Sequence, residues 1–485
     1  MSRAFLLSAA LAVLLLHNFM IRPWMLDDAF ISFRYAENLA AGNGPVYNTG
    51  ERVEGYTCFL WVILLAAAAR AGFPAPPASQ VLGGLFAVAC ILLAFQAHRF
   101  TRRLAPKDAA LAALLLGTSG VFTPWPSSGM EVTLFAFLAL LSFLLHLELL
   151  ERPAARTAIL MGVGLALLSL TRPEGLLLAG ILGLDQVTTA DGRRNAFITG
   201  ACFAGIFVPY FLWRSSYYGY LLPNTFYAKV GSTTDQIIRG LRYAQGFILA
   251  VLPLAAAVAV SVRRCWNAGF RAGILLLLAY TAYVVAVGGD IMPAFRFFAP
   301  VLPVLCLLAA YSIQQIPRVR TAGLVALLAV IYNLAQILYN PHINDYVRTD
   351  TVAEDGREAG LWLRQHARPG SLIATNTGGS VPYYSGLRTV DMLGLNDVHI
   401  AHRRIPWIGK GPAGHEKGDG LYVLSRKPDY IQFGSSLGDS VPRFLSDQEL
   451  WRLPEFHHDY EMKTHPLDSG KKLVLFERKE AKSAP

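Results

Sequence analysis

Long apolar segments separated by short polar ones dominate the first 340 residues. The apolar runs recur from residue 4 to residue 340, and several reach the roughly 17 to 25 residues that a helix needs to cross a bilayer. The pattern predicts a polytopic α-helical membrane protein. The segments expected to span the membrane are 4–20, 79–97, 109–125, 131–148, 157–171, 174–189, 197–214, 245–262, 270–288, 297–314 and 321–340.

The pattern changes at about residue 341. Apolar runs shorten, and His, Asp, Arg, Gly and Pro become common. A tail of this length can bury a core of its own, so we expect a transmembrane domain over 1–340 and a soluble domain over 341–485. The tail contains one amphipathic helical pattern and four strand-like runs, which together are typical of an α/β domain. These segments are 355–367 for the helix and 371–376, 387–393, 428–433 and 471–478 for the strands.

Basic clusters between the apolar runs orient the chain, because Lys and Arg accumulate in cytoplasmic loops. The clusters are 98–107, 150–156, 191–195, 262–266 and 317–320. Placing them inside predicts about eleven spans in a bacterial cytoplasmic membrane, with the tail in the periplasm. The first periplasmic loop then covers 21–78. The N-terminal run could instead be a signal peptide, but it lacks a convincing small-residue cleavage site.

Two apolar segments do not fit simple spans. Segment 56–73 must begin and end outside, so we expect an interfacial or re-entrant helix, with Trp61 and Arg70 as interfacial anchors. The sequence TRPEG (171–175) interrupts the segment 157–189 with charges. We expect a short hairpin there, with its tip on the outer side, because charges at membrane depth are costly unless they line a polar cavity.

Composition narrows the class of partner. The chain is 54% hydrophobic and 16% charged, against about 25% charged for a typical soluble domain. The formal net charge of +10 is concentrated in the short loops, so membrane topology explains it and nucleic acid is not an expected partner. Five scattered cysteines show no metal-ligand spacing, and neither a disulfide framework nor a zinc site is predicted.

With this orientation, acids, cations and aromatic residues gather on the outer face. A transporter would instead scatter ionisable groups near the midplane and often show repeated halves; no internal repeat is visible. Transfer of a sugar from a lipid phosphate fits better. An Asp can take a proton from an acceptor hydroxyl, and Arg or Lys can hold the departing phosphate.

Asp27 and Asp28 follow the first apolar run directly. Adjacent residues point in different directions on a helix, so one of them is expected to face the substrate, with Asp28 preferred. Asp27 could instead act as the N-cap of the helix that starts at Ala29. Arg172 with Glu174, and Asp290 with Arg296, could form structural ion pairs.

An ordered set of motifs resembles a known family. DDAFISFRYAENLAAGNGPVYNTGERVEGYT (27–57), SSGMEVTLF (127–135), TRPEG, PNTFYAK (223–229) and GGDIMPAFRFFAP (288–300) look like the GT-C superfamily of membrane glycosyltransferases, and more narrowly the AftB-type arabinofuranosyltransferases. The tail sequences YYSGLRTVDMLGLNDVHIAH (383–402) and GHEKGDGLYVLSRKPDYI (414–431) agree. The resemblance implies transfer of arabinofuranose from decaprenyl-phosphoarabinose, or a related polyprenyl donor, to a cell-envelope glycan or surface protein.

The expected roles follow from the motifs. The catalytic carboxylates would be Asp28 or Asp27. The donor site would comprise Arg34, Glu131, Arg172, Glu174, Tyr227, Lys229, Asp290 and Arg296. The acceptor site would comprise Glu54, His402, His415 and Glu416, whose spacing fits no familiar metal motif. No metal ligands are assigned, although a divalent cation bridging Asp and phosphate is left open. The alternatives are transfer of mannose or aminoarabinose, and a lipid-linked sugar flippase.

Overall fold

The computed structural model describes residues 2–21, 24–188, 192–231 and 233–479. The chain up to Tyr339 is helical, and the remainder mixes helices and strands. The helices of the first part are α1 (Arg3–Met20), α2 (Asp27–Ala40), α3 (Phe59–Arg70), α4 (Ala75–Phe95), α5 (Pro106–Gly117), α6 (Val132–Glu151), α7 (Ala155–Thr171), α8 (Gly175–Val187), α9 (Gly192–Tyr218), α10 (Asn224–Lys229), α11 (Thr234–Ala250), α12 (Leu252–Cys265), α13 (Ala268–Ala286), α14 (Leu302–Gln314) and α15 (Val319–Tyr339). Short 3-10 turns cover Ala97–Arg99, Trp125–Ser127, Pro293–Phe295 and Ala299–Val301.

A helix lies at each segment predicted to span the membrane, but these helices differ in length. Within the described residues, six helices are long and apolar enough to cross a bilayer, or up to seven if the bent pair α11 and α12 counts as one span. Four shorter apolar helices cover Phe59–Arg70, Ala155–Thr171, Gly175–Val187 and Ala299–Gln314. The structure therefore agrees with a multi-pass membrane protein, while the number of eleven spans is not confirmed.

The expected single span over 245–262 is wrong. Helices α11 and α12 meet at Val251 with a bend of 89°. Pro253 lies in the first turn of α12, where its ring cannot fit a helix that continues from the preceding turn and its nitrogen has no proton to donate. A new helix therefore starts at this point in a different direction.

The basic loops lie together at one end of the helical bundle. Arg152 donates to the carbonyl of Arg99 at 2.8 Å, and Arg103 lies 3.8 Å from Glu151. Arg264 likewise donates to the carbonyl of Gln315. Thr101, Glu151, Asn267 and Tyr311 line one small cavity, so the loops that follow α4, α6, α12 and α14 share one end of the bundle. The start of α6 lies beside α2, where Leu26 donates to the carbonyl of Ser128, so these loops lie at the end away from α2.

The first loop contains two helices, and α3 is too short to span a bilayer. Its 12 residues extend over about 18 Å at 1.5 Å per residue. Trp61 is fully buried and its indole N–H donates to the carbonyl of Gly129 at 3.1 Å, so the expectation that it anchors α3 at an interface is wrong. Arg70 is exposed at the end of α3, and the interfacial position of this helix stays a prediction.

The tail is built around a five-stranded mixed sheet. Its strands are β1 (Leu372–Thr375), β2 (Arg388–Asp391), β3 (Tyr430–Gln432), β4 (Tyr460–Pro466) and β5 (Lys472–Arg478), in the order β2-β1-β3-β5-β4. Strand β1 runs parallel to β2 and β3, and β5 runs antiparallel to β3 and β4. The helices are α16 (Asp345–Thr349), α17 (Val352–His366), α18 (Ser380–Ser385), α19 (Val398–His402), α20 (Gly420–Ser425), α21 (Leu445–Trp451) and α22 (Pro454–Asp459).

Alternate residues of the sheet enter two separate cores. Ala374 and Phe476 belong to one apolar cluster, whereas Ile373 and Leu475 belong to the other. Because successive side chains of a strand point to opposite faces, both faces of the sheet are covered, which confirms the predicted α/β class of the tail.

Strand β4 was not predicted from the sequence. Its residues YEMKTHP are mostly polar, and all but the first are half-buried or exposed. It forms the outer edge of the sheet and pairs along its whole length with β5. Charged side chains are common on edge strands because they discourage pairing with another chain, and they hide the apolar alternation on which a sequence prediction depends.

The tail sits on the first loop through hydrogen bonds between distant parts of the chain. The hydroxyl of Tyr47 donates to the carbonyl of Gly378 at 2.6 Å, and the amide of Asn48 donates to the carbonyl of Thr389 at 2.8 Å. All four residues involved are buried or nearly so. Helix α2 and the segment after it therefore form the platform that carries the tail.

Candidate active site

A cavity of about 410 Å³ lies where the helical bundle meets the tail. Its walls come from α2, the segment before α6, the turn between α7 and α8, α10, and the connection from α13 to α14. The structure brings seven of the predicted charged residues together there. They are Asp28, Glu131, Arg172, Glu174, Lys229, Asp290 and Arg296.

Arg172 forms the centre of one ionic group in this cavity. Its guanidinium donates to Glu131 Oε1 at 2.6 Å and to Glu174 Oε1 at 3.0 Å. All three side chains are almost completely buried, and Glu131 Oε2 has no hydrogen-bond partner within the described residues. The ion pair between Arg172 and Glu174 predicted from TRPEG is confirmed, and Glu131 joins it.

A second ionic group lies on the connection between α13 and α14. Arg296 Nε donates to Asp290 Oδ2 at 2.6 Å, and one terminal nitrogen of Arg296 lies 3.9 Å from Asp28 Oδ2. Just before Arg296, Ala294 and Phe295 both have positive φ angles, 49° and 52°. Non-glycine residues rarely adopt such angles, and the strain persists only where surrounding contacts impose it. Here the Ala294 amide donates to the carbonyl of His342.

Lys229 is the last residue of α10. No hydrogen bond or ion pair to its ammonium group occurs in the described ranges, while Arg172 and Arg296 are both paired. Helix α10 is positioned by Asn224, whose backbone amide donates to the carbonyl of Glu54 and whose side chain donates to the carbonyls of Gly394 and Leu395. The lysine is therefore a cation on a fixed helix that is available to a ligand.

A second, smaller cavity of about 160 Å³ lies on the tail side of α2. It shares Asp28, Lys229 and Asp290 with the first cavity. Its remaining polar wall comes largely from the tail. Those residues include Asp350, Asn376, Thr377, Asp391, His415 and Ser435. Asp28 thus lies at the junction of a cavity in the bundle and a cavity under the tail.

Asp27 has a different environment from its neighbour. Its carboxylate accepts hydrogen bonds from the amide of Gly379 at 3.1 Å, the amide of Ser380 at 2.8 Å and the hydroxyl of Ser380 at 2.5 Å. Burial raises the pKa of Asp27 to about 7, although the bonds from Ser380 act in the opposite direction. Leu26, not Asp27, is the N-cap of α2, so the capping prediction is wrong and this carboxylate instead holds the tail.

Arg34 was expected to bind the donor, but it lies outside both cavities. Its guanidinium donates to the carbonyls of Tyr47, Pro382 and Leu387 at 2.6 to 2.7 Å. It also stacks over the ring of Tyr47 at 4.5 Å. These bonds join α2 to the first loop and to the tail, so the structure does not place Arg34 with the other predicted donor-site residues, and its donor role stays a prediction.

Two acids expected to bind the acceptor are also used internally. Glu54 forms a two-point ion pair with Arg214, at 2.9 and 2.6 Å. Glu416 accepts from the amides of Gly409 and Gly411 and pairs with Arg239 at 2.9 Å. Neither acid lines either cavity. Each is paired with an arginine that is distant in sequence.

Two aromatic residues expected to contact the substrates, Tyr227 and His402, contact each other instead. The rings of Tyr227 and His402 stack at 4.3 Å between centroids, and His402 bonds the carbonyl of Val398. Neither residue lines the cavities. His415 does line the smaller one, and burial lowers its pKa. Of the four residues expected to bind the acceptor, the structure places only His415 near Asp28.

Sequence reasoning missed Asn376 and Asp391. Both lie within segments predicted as strands: Asn376 comes directly after β1, and Asp391 is the last residue of β2. The carboxyl ends of adjacent parallel strands meet at one edge, where ligands commonly bind in α/β sheets. The segments SLIATN and LRTVDML therefore contained a usable signal.

Metal binding was left open by the sequence. Across the described ranges, no group of three or more His, Cys, Asp or Glu side chains is placed so as to hold a metal ion. The acids of the larger cavity are instead separated by Arg172 and Arg296. A divalent cation stays a prediction.

Comparison with solved structures defines the class of fold. The protein superposes on ArnT from Cupriavidus metallidurans in the apo state with a TM-score of 0.67 over 98% of this chain and 97% of that one, at 12% identity. It matches the arabinofuranosyltransferase AftD from mycobacteria with a TM-score of 0.56 over 99% of this chain and 40% of AftD, at 15% identity. The protein therefore has the fold of GT-C membrane glycosyltransferases, and it is a multi-pass membrane protein.

Sequence comparison points to a narrower group. The chain is 31% identical over 243 residues to a terminal β-(1→2)-arabinofuranosyltransferase of Mycobacterium tuberculosis, covering 47% of this chain and 38% of that protein. It is 26% identical over 349 residues to the enzyme of the same name from Corynebacterium glutamicum, covering 61% and 49%. The predicted resemblance to arabinofuranosyltransferases is confirmed, although the chain spans less than half the length of either relative.

The tail has a match of its own. Residues 343–476 match a family described as "Domain of unknown function (DUF8728)". This range contains the whole sheet except the last two residues of β5, together with the tail side of the smaller cavity.

Proposed function

We propose that this protein transfers a sugar, D-arabinofuranose, from a polyprenyl-phosphate donor to a cell-envelope glycan or surface protein. The observation that carries the proposal is the position of Asp28, at the junction of two cavities and within reach of two cations. A transferase needs this arrangement, because donor and acceptor must enter from different sides and meet at one base.

The larger cavity suits a lipid phosphate. Lys229 and Arg296 supply positive charge near Asp28, and a phosphate leaving the sugar requires such neutralisation. The solved structures that share the fold include ArnT bound to undecaprenyl phosphate and an archaeal oligosaccharyltransferase in complex with dolichol phosphate. These lipids belong to those proteins, and they support the same class of donor here.

Apolar side chains mark where the lipid chain would enter. Leu176, Leu222 and Phe226 line the larger cavity, yet their exposed fractions are 43%, 41% and 40%. In a membrane protein, exposed apolar side chains at a cavity mouth face hydrocarbon at no cost. A polyprenyl tail can therefore leave the cavity sideways into the bilayer.

The reaction follows from these positions. The acceptor hydroxyl forms a bond to the anomeric carbon of the donor sugar as the bond from that carbon to the phosphate oxygen breaks. Asp28 takes the hydroxyl proton, and the polyprenyl phosphate keeps the electron pair of the broken bond. Lys229 and Arg296 stabilise the negative charge that develops on the departing phosphate.

The charge distribution supports an orientation for this site. The basic loops lie at the end of the bundle away from the tail. Since basic loops face the cytoplasm, the proposed active site and the tail face the outside of a bacterial cytoplasmic membrane.

The test is an Asp28→Asn variant of the full-length protein, purified in detergent and supplied with polyprenyl-phosphoarabinose and an arabinan acceptor. Removal of a general base should lower the transfer rate by about 100-fold or more, while donor binding stays intact. Asp468→Asn, on an exposed surface of the tail, is the matched control and should transfer at the wild-type rate. Wild-type transfer by Asp28→Asn, or lipid translocation by the wild type without any product, would overturn the proposal.

A further inference from the structure

The smaller cavity opens at the carboxyl edge of the tail sheet. Asn376 follows β1, Asp391 ends β2, and Gly434 lies just beyond β3. These three strands are neighbours in the order β2-β1-β3 and are parallel to one another. The cavity is therefore placed where α/β sheets commonly bind ligands, and the tail forms one of its walls.

Asn376 presents an unused hydrogen-bond acceptor at this cavity. Its side chain is 5% exposed, and its amide nitrogen donates to Asp447 Oδ1 at 2.8 Å. Asp447 fixes this orientation, because its other oxygen already accepts from the backbone amides of Gly434 and Phe444. The amide oxygen of Asn376 has no partner among the described residues. Buried polar atoms are almost always paired, so a group that enters this cavity and donates a hydrogen bond would satisfy the oxygen.

The rest of the wall selects for the charge of that ligand. Asp391 is 1% exposed, and its carboxylate accepts from the amides of Leu393 and Asn396. Asp27, Asp28, Asp290 and Asp350 also line the cavity, together with the cation Lys229. Carboxylates accept hydrogen bonds from hydroxyl groups and repel anions. The cavity therefore favours a neutral polyhydroxyl group over a phosphorylated or carboxylated one.

The smaller cavity has a volume of about 160 Å³, against about 410 Å³ for the larger one. We assign a single monosaccharide residue to it, with the rest of the glycan outside. A hydroxyl of this residue would point toward Asp28, which both cavities share.

We infer that the smaller cavity is the acceptor subsite, that it takes the terminal residue of a neutral glycan, and that Asn376 and Asp391 determine its specificity. The inference rests on the proposed transfer reaction, since it names the acceptor for the same base. It replaces Glu54, His402 and Glu416 as acceptor ligands and keeps His415, which lines the same cavity.

The test measures acceptor and donor parameters separately in the full-length enzyme, with an alkyl arabinofuranoside as acceptor. Asn376→Ala removes the free amide oxygen and should raise the acceptor KM at least tenfold. The donor KM should be unchanged. An unchanged acceptor KM in Asn376→Ala would overturn the inference.

Asn376→Ala also removes the hydrogen bond to Asp447, so a second variant is needed that leaves this bond intact. Gly378 lines the cavity, and a Cβ added there would lie 3.3 Å from Asp391 Oδ2 and otherwise meet only side-chain atoms at ordinary distance. Gly378→Ala should therefore narrow the subsite without unfolding the tail, and it should also raise the acceptor KM. An acceptor KM at the wild-type value would contradict the inference.

The proposed selection for neutral acceptors is tested separately. The wild type should prefer the neutral arabinoside over its phosphorylated counterpart by at least tenfold in kcat/KM. Equal use of both would overturn the proposed selection for neutral acceptors. If the wild type releases no polyprenyl phosphate with any acceptor, the proposed function itself fails, which is a separate outcome.

Discussion

The buried pair of Glu54 and Arg214 provides a sharp test of whether a charged residue near the site is structural. Their side chains are 4% and 5% exposed, and two guanidinium nitrogens of Arg214 bond the two carboxylate oxygens at 2.9 and 2.6 Å. The same guanidinium also donates to the carbonyl of Leu221 at 2.9 Å. The pair joins the first loop to the end of α9, beside the start of α10.

Replacing Glu54 with Ala would leave a desolvated cation with only carbonyl partners. Breaking a buried ion pair in this way typically costs about 3 to 5 kcal/mol. Replacing both residues, as Glu54→Leu with Arg214→Met, removes the unpaired charge together with its partner. The double variant should therefore be more stable than Glu54→Ala, because apolar residues of similar size can replace a buried pair at little cost.

The measurement is the thermal unfolding midpoint of purified protein in detergent, together with the acceptor KM at a temperature where all variants are folded. Glu54→Ala should unfold several degrees below the wild type, and the double variant should recover most of the loss. An unchanged midpoint with a raised acceptor KM would refute this reasoning and return Glu54 to the acceptor site.

Two further predictions concern the contact between α2 and the tail. Burial raises the pKa of Asp27 from 3.8 to about 7, so the folded state binds a proton that the unfolded state releases. The stability contributed by this group is therefore present below pH 4 and is lost as the pH rises through about 7. Asp27→Asn should show a smaller fall in its unfolding midpoint between pH 5 and 8 than the wild type, and an identical pH dependence would contradict the assigned pKa. In Gly379→Ala, the added Cβ would lie 2.0 Å from the carbonyl oxygen of Asp27, so tail amides should exchange faster with deuterium and transfer should fall. Gly323→Ala, whose Cβ would meet nothing within 4 Å and whose φ, like that of Gly379, is not positive, is the control without a clash, and equal effects would argue against a specific clash.

The cluster of charged residues in the larger cavity was predictable because it depends on topology alone. Once the basic loops are placed on one side, each span carries its flanking residues to a known end. Arg172, Asp290 and Arg296 therefore converge as expected, although they are far apart in sequence. The change in apolar pattern at about residue 341 located the tail, and its strand-like runs located four of its five strands.

Three predicted site residues lie outside both cavities, and they share a physical feature. Arg34, Glu54 and Glu416 lie on the predicted side of the protein, but each is saturated by partners that only the folded chain brings near. A buried charge must be paired, and a sequence does not show whether its partner will be protein or ligand. Lys229 differs from these residues, because no group in the described part of the chain pairs with its ammonium group.

The two adjacent acids have different roles, because helix geometry turns their side chains in different directions. Consecutive residues in an α-helix differ by about 100° around its axis, so the carboxylates of Asp27 and Asp28 have different partners, although both residues line the smaller cavity. Asp27 turns toward α18 and holds three donors of the tail. Asp28 turns toward Arg296 and the two cavities. Both carboxylates also benefit from the positive end of the α2 dipole. The tail and the proposed base are therefore fixed to the same helical turn, and a displacement of the tail that breaks the bonds of Asp27 must also shift Asp28 relative to both substrates.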